Sequence, residues 1–284
     1  MAAKKQTCMI LGAAPIEDSK IFQEFPPEDH YVICADAGYE TAAQYGVVPD
    51  LIVGDFDSAK ELPPQGQKVA RLPVEKDVTD TMYAAMRGLT KGFRSFVLLG
   101  CLGGARFDHS LANLEVLQFL LAHGGHGVMA DNHTKIFLIR DSRLRLTEMK
   151  GATLSVFPYG VPSCMVSYEG LQYPLTHRNL TSGGVLMGVS NRIVADTAEI
   201  LVHEGTALVV VYQELAGTLF SLLDILEENE KNGKGGMAGG LYKEVPLRLS
   251  SRLPRQVPVR GMFRAWHVPF LFLPRGAHLV PLRG

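Results

Sequence analysis

A chain of 284 residues suits one large domain or two smaller ones, and an apolar share of 46% is ordinary for a soluble protein. Its 28 basic and 29 acidic side chains leave a net charge of −1, so the overall balance points to neither nucleic acid nor a membrane surface as partner. Four widely spaced cysteines, Cys8, Cys34, Cys101 and Cys164, form no C-x-x-C pair, which argues against a zinc knuckle or a redox motif. Buried thiols in a reducing cytoplasm are the expectation. The first five residues lead into an apolar run too short for a secretory signal, and no apolar stretch approaches the ~20 residues of a membrane span. A cytoplasmic location is therefore expected.

In chain order, short apolar runs at 7–11, 31–35, 51–53 and 96–99 end in Gly12, Asp36, Gly54 and Gly100. Runs of this length bounded by Gly or Asp predict buried parallel strands. Between them, residues 80–89 carry Met82, Ala85, Met86 and Leu89 at helical spacing. Residues 108–123 carry Leu111, Leu114, Leu117, Leu120 and Leu121 toward one face, and Gly124-Gly125 ends that run. Strands alternating with helices predict an α/β fold over residues 1–140, a three-layer α/β/α domain with a mostly parallel sheet. Residues 141–214 change character, with short alternating runs at 153–157 and 207–212 and turn signals at 158–160, 169–170, 182–184 and 204–205. That spacing predicts a smaller all-β sandwich domain. From 215 to 284 a possible helix at 215–230 gives way to a Gly/Lys linker and then to Arg and Pro without a period. A poorly ordered tail is expected there in preference to a basic binding arm.

The acidic residues of the first part fall where strands are predicted to end. Asp36 follows the second run, and Asp55 and Asp57 follow the third. In open α/β sheets ligands bind outside the carboxyl ends of the strands. Carboxylates gathered there repel one another unless a divalent cation neutralises them. If Asp55-Phe56-Asp57 stays extended, both carboxylates point to one side and Phe56 points back to the core. Oxygen-only ligands suit Mg²⁺ or Mn²⁺ better than zinc. The competing reading is a polar turn with Asp57 or Ser58 as a cap; the neighbouring Asp36 favours metal.

A second cluster, Lys76-Asp77-Val78-Thr79-Asp80, precedes the helix at 80–89. Asp77 or Thr79 can simply cap that helix, or the helix start can receive phosphate or metal. The third cluster runs from Gly100 to His109 and includes Gly103, Gly104, Arg106 and Asp108. Its glycines let the backbone approach a phosphate, and Arg106 supplies a cationic fork for a triphosphate. Asp108 can cap the following helix, bind metal or hold His109, and His109 alone reads as a structural hydrogen-bonder. Neither a Walker loop nor a G-x-G-x-x-G fingerprint is present.

In this order the clusters resemble the thiamine pyrophosphokinase (thiamine diphosphokinase) family. The matching pieces are Asp36-Ala37-Gly38, Pro49 through Ser58 with its Gly-Asp-Phe-Asp-Ser loop, and Lys76 through Asp80. Gly103 through His109 follows, with Asn113 one turn on, and then Gly188-Val189-Ser190-Asn191. The resemblance covers about residues 5–214. It implies an ATP- and Mg²⁺-binding α/β domain, a thiamine-binding sandwich, and a homodimer with active sites between subunits. It implies a reaction in which the diphosphate of ATP passes to the hydroxyl of thiamine, giving thiamine diphosphate and AMP. Asp55, Asp57, Asp80 and Asp108 are then the catalytic carboxylates, and the first three also the metal ligands. Asp36, Lys76, Thr79, Arg106, His109 and Asn113 become nucleotide contacts, and Ser190 and Asn191 thiamine contacts. The chain departs from the family pattern at Ala37, at Ala105 before Arg106, and after Asn191, where no tryptophan stands nearby. A diphosphokinase for another alcohol, such as a hydroxymethylpterin, or a non-catalytic nucleotide- or thiamine-binding regulator are the alternatives. Clustered acids count against the regulator, because a simple phosphate-binding site gains from bases.

Overall fold

Short apolar runs buried on two faces need cover on both, and the arrangement of helices follows from that need. The computed structural model describes residues 5–56, 63, 66–72, 77–184 and 188–213. The readings made above for Asp57, Lys76 and residues 215–284 lie outside the described residues. Strands β1 (Thr7–Leu11), β2 (His30–Ala35), β3 (Leu51–Gly54), β4 (Val69–Arg71), β5 (Ser95–Leu99) and β6 (His126–Ala130) form a parallel array in the order β6-β5-β1-β2-β3-β4. Helices α1 (Ile21–Glu24) and α2 (Gly38–Gln44) contribute to one packed core, and α3 (Asp80–Thr90) and α4 (Phe107–Ala122) to the other. Met9, Leu11, Val32 and Cys34 pack with Phe25, Tyr39 and Ala42. The alternate residues Cys8, Ile10, Ile33 and Ala35 pack with Ala84, Leu89, Val116 and Leu120. Both sides of β1, β2, β3 and β5 are therefore largely dry, which is why those runs are continuously apolar rather than alternating, while the edge strand β4 is exposed. The described residues include no helix long and apolar enough to cross a membrane.

Helix α4 differs from its predicted face. Leu111 is exposed, while Ser110, Asn113, Val116, Leu117 and Leu120 are buried. The two polar residues take inward positions because they hold the preceding loop. The helix also starts at Phe107, so Asp108 sits in its first turn and is not its cap.

Eight strands follow: β7 (Thr134–Arg140), β8 (Arg143–Thr147), β9 (Thr153–Pro158), β10 (Ser163–Glu169), β11 (Leu175–Thr181), β12 (Gly188–Arg192), β13 (Thr197–Glu204) and β14 (Thr206–Tyr212). They pair antiparallel, as the turn spacing predicts. Strand β7 also pairs antiparallel with β6, so β7, β14, β9 and β12 extend the first sheet to ten strands. The second sheet, β11-β10-β13-β8, packs on this extension. Leu144, Leu146, Val166 and Ile200 share one core with Phe137, Leu154, Val156 and Val209. The change in character near residue 140 is thus a change of strand direction within one sheet. All four cysteines are free and buried, and burial pushes the Cys34 and Cys101 thiols up to about 12.

Gly88 sets how closely α3 lies on the sheet. A Cβ there would stand 2.5 Å from a Phe96 ring carbon and 3.1 Å from Cys8 Sγ, both on fully buried residues. Alanine gains about 1 kcal/mol of helix propensity over glycine, but over-packing a full core costs about 1–3 kcal/mol. Gly88→Ala is expected to lower the urea midpoint with an unchanged m-value; a higher midpoint would show that α3 can shift without cost.

Candidate active site

Three carboxylates meet where β2, β3 and α3 converge. Asp36 follows β2, its N–H donating to the Val53 carbonyl oxygen at 2.9 Å. Asp55 follows β3, and Asp80 is the first residue of α3. One oxygen from each of Asp36, Asp55 and Asp80 lies within 4.8 Å of the other two. The approach is possible partly because residue 54 is glycine, where a Cβ would stand 3.1 Å from the Phe56 ring and 3.3 Å from Asp36 Cα.

The backbone here is not extended. Asp36 and Phe56 have φ of 51° and 62°, in the left-handed region that residues with a Cβ avoid. The extended geometry expected for Asp55-Phe56-Asp57 is therefore corrected: the chain turns at Phe56. Phe56 does point into the core, edge-on to Tyr39 at 5.9 Å, with the Arg71 guanidinium 5.7 Å from its ring centre. Two such backbone positions beside one cluster are the kind of local strain that functional sites retain.

A cleft of about 480 Å³ opens beside the carboxylates. Asp36, Asp55 and Asp80 line one side, and the Gly100–Arg106 loop lines the other. Gly100, Gly103 and Gly104 all have positive φ. Ser110 Oγ accepts the Gly103 N–H at 3.1 Å, and Asn113 Nδ2 donates to the Cys101 carbonyl oxygen at 2.9 Å. Asn113 borders the cleft, but this bond commits its amide to shaping the loop. Ser110 was missed in the sequence reading; a small hydroxyl one turn beyond a glycine loop is the signal that marks it. Thr79 caps α3, its Oγ1 accepting the Met82 N–H at 3.2 Å.

Arg106 and His109 border the same cleft. Arg106 forms a two-pronged pair with Asp108, Nε to Oδ1 at 2.9 Å and Nη2 to Oδ2 at 2.6 Å. Hydrogen bonds from Arg106, helped by its charge, hold the exposed Asp108 carboxyl down at about 2. Asp108 thus reaches the cleft through Arg106.

Ser190 and Asn191 sit elsewhere, on β12 at the far edge of the ten-stranded sheet. Ser190 is exposed at φ 57°, and its N–H donates to Ser155 Oγ at 3.1 Å. Asn191 is only 6% exposed. Its Oδ1 accepts the N–H groups of Tyr173 and Arg192 at 3.0 and 2.9 Å, and its Nδ2 donates to the Tyr173 carbonyl oxygen at 2.8 Å. One chain therefore gathers the residues of the three N-terminal clusters that it describes, and leaves Ser190-Asn191 apart from them.

A carboxylate-lined cleft with a glycine loop, at the carboxyl ends of a parallel sheet, defines an α/β protein built to handle phosphates. Comparison with known proteins gives the particular family. Residues 22–126 match the profile "Thiamin pyrophosphokinase, catalytic domain", and residues 141–206 match "Thiamin pyrophosphokinase, vitamin B1 binding domain". The chain belongs to the thiamine pyrophosphokinase family. Among curated relatives, Thiamine pyrophosphokinase 3 of Oryza sativa subsp. japonica is 25% identical over 177 residues, a match covering 57% of this chain but just 64% of that protein. The Bacillus subtilis thiamine pyrophosphokinase is 28% identical over 169 residues, covering 57% of this chain and 78% of that one. The crystal structure of the enzyme of that name from Bacillus subtilis superposes with a TM-score of 0.64 at 23% identity, over 74% of this chain and all of the other, a likeness of fold.

The donor set fits a hard divalent cation, since all three groups are carboxylates and their oxygens already converge. Calorimetric titration with Mn²⁺ is expected to give one site per chain, weakened at least about tenfold by Asp55→Asn or Asp80→Asn. Equal affinity in both variants would remove the cation from this cluster.

Proposed function

We propose that this chain transfers the diphosphate group of ATP to the hydroxyl of thiamine, giving thiamine diphosphate and AMP. The observation that carries the reading is the convergence of Asp36, Asp55 and Asp80 opposite the glycine loop and Arg106, in a chain whose two halves match both profiles of one family. Asp36, Asp55 and Asp80 would hold Mg²⁺, with Asp57 of the same loop as a further candidate. When bound, the cation offsets phosphate charge and orients the triphosphate.

The chain's own groups do the rest by position. The backbone of the Gly100–Gly104 loop approaches the phosphates closely, and Ser110 and Asn113 keep it in shape. Arg106 keeps its pair with Asp108 and offers its remaining N–H groups to a phosphate oxygen. A carboxyl held near 2 is a weak proton acceptor, so Asp108 aims Arg106 and does not serve as the base. The thiamine hydroxyl oxygen attacks the β-phosphorus, the bond from that phosphorus to the AMP oxygen breaks, and the hydroxyl proton is released. Thr79 caps the helix that presents Asp80.

The sandwich half is the proposed thiamine-binding half, with Ser190 on its exposed edge. Strand β12 lies seven strand spacings from β2 in the sheet order, or roughly 34 Å along the sheet at about 4.8 Å per strand. That separation supports a homodimer in which the sandwich edge of one copy meets the cleft of the other.

Mass analysis after incubation with ATP, Mg²⁺ and thiamine is expected to show AMP and thiamine diphosphate. ADP with thiamine monophosphate would refute the diphosphate transfer. Asp55→Asn is expected to lower kcat by about two orders of magnitude or more with an unchanged circular dichroism spectrum. For the shared site, an equimolar mixture of Asp55→Asn and Asn191→Ala chains, assayed at thiamine well below the wild-type KM, should show more activity than the two chains measured separately and added. No recovery after co-refolding would place both half-sites in one copy.

A further inference from the structure

We infer that the segment after β1, from Gly12 to Asp18, forms a third wall of the nucleotide cleft, and that Asn132, outside the cleft, is the positioning residue that holds it. This rests on the proposed use of ATP in that cleft. Ala13, Ala14 and Pro15 line the cleft together with the Gly100–Arg106 loop. The two segments meet backbone to backbone. Gly12 N–H donates to the Leu99 carbonyl oxygen and Ala14 N–H to the Gly100 carbonyl oxygen, both at 2.8 Å. A Cβ at Gly100 would stand 2.5 Å from the Gly12 carbonyl oxygen, and one at Gly104 would stand 3.4 Å from Pro15 Cδ. Packing this close leaves no slack between them, so the glycine loop is placed by Gly12–Pro15 as well as by Ser110 and Asn113. The side chains of this wall carry no charge. They give a bound nucleotide contact and position, not charge balance.

A segment with no helix or strand of its own needs outside bonds to stay in one place. This one is fastened from the turn between β6 and β7. Asn132 is 7% exposed and does not line the cleft. Its Oδ1 accepts the Asp18 N–H at 3.1 Å, and its Nδ2 donates to the Asp18 carbonyl oxygen at 2.9 Å, across 114 residues of chain. Asp131 stiffens the turn, its Oδ1 accepting the N–H groups of His133 and Thr134 at 2.8 and 2.6 Å. Neighbouring side chains add to the tie: His133 Nε2 lies 3.1 Å from Glu17 Oε2, and Lys135 Nζ lies 3.1 Å from Glu24 Oε1. The Tyr45 hydroxyl donates to the Ile16 carbonyl oxygen at 2.9 Å. A buried asparagine bonded to backbone is most often a plain structural fastener. Asn132 differs in what it fastens, since the residues just before Asp18 face the cleft. A wall held in place beforehand has less freedom to lose when ligand binds.

The test is calorimetric titration of the full chain with ATP and Mg²⁺ in the absence of thiamine, followed by steady-state kinetics. Asn132→Ala is expected to weaken ATP binding about fivefold, the size of ordering one loop residue on binding. KM for ATP should rise in step, with KM for thiamine unchanged. Mn²⁺ affinity measured without nucleotide should stay within about twofold of wild type, because Asp36, Asp55 and Asp80 are carried by β2, β3 and α3. Asn132→Asp keeps the shape and the acceptor but removes the donor. It should weaken ATP binding in the same sense, and it carries the test if the alanine chain does not fold. Pro15→Gly loosens the wall itself and should also weaken ATP binding; adding Asn132→Ala to it should cost less than in the wild-type background. Unchanged ATP affinity in the Asn132 variants would overturn the assignment, and so would an equal loss of ATP and Mn²⁺ affinity. A wild-type chain that binds ATP but makes no thiamine diphosphate would overturn the reaction alone. One that binds no ATP would overturn both.

Discussion

Like charges held close together are the constraint around which this molecule is arranged. At 4.8 Å or less, carboxylates on Asp36, Asp55 and Asp80 oppose one another by an amount that depends on local screening, about 1 kcal/mol per pair in bulk water and several times that near a protein surface. Loops alone would let them separate. They converge because β2 and β3 are adjacent parallel strands in a sheet packed on both faces, and because Gly54 lets the strand ends draw together. The positive φ of Asp36 and Phe56 adds local cost at the same place. The buried side chain of Phe56 against Tyr39 anchors the turn that the backbone would otherwise relax.

The opposite wall of the cleft is held by a different device. Helix α4 turns Ser110 and Asn113 inward, where an ordinary amphipathic helix would bury apolar groups, and uses them to hold the glycine loop. That trade explains the exposed Phe107 and Leu111: the first two turns of α4 give their inward positions to polar work. Arg106 meanwhile stays soluble and aimed because Asp108 supplies it with an internal anion.

Much of this was legible in the residues. The parallel strands followed from apolar runs ending in Gly or Asp, and the sandwich from the spacing of its turns. The nearness of Asp36 to Asp55 followed from the rule that strand carboxyl ends gather ligands, while Asp80, at a helix start, joined them only through the family resemblance. What was not legible has definite physical causes. A run of residues carries no sign of a left-handed φ at a phenylalanine, so the turn at Phe56 could not be foreseen. Leucines at 111, 114 and 117 satisfy helical periodicity on more than one face, and tertiary demand for Ser110 and Asn113 decided between them. Asn191 reads in sequence as a polar group near a substrate; that its amide is consumed by the backbone of Tyr173 is a long-range pairing that no local pattern encodes. The pairing of β7 with β6 is instead local, a hairpin closed across residues 131–133 just before the boundary expected at 140.

That last pairing has a mechanical consequence. Enzymes that grip substrate between two domains commonly close by rotation about a hinge, with a few backbone torsions absorbing the motion. Here the hydrogen-bonded ladder from Val128–Phe137 to Ala130–Lys135 crosses the place where such a hinge would lie. Rotation there would break sheet hydrogen bonds and shear a continuous core. The two halves of one chain are therefore a single stiff plate, and the freedom needed to admit and release substrate has to come from side chains, from loops, or from the way two plates meet.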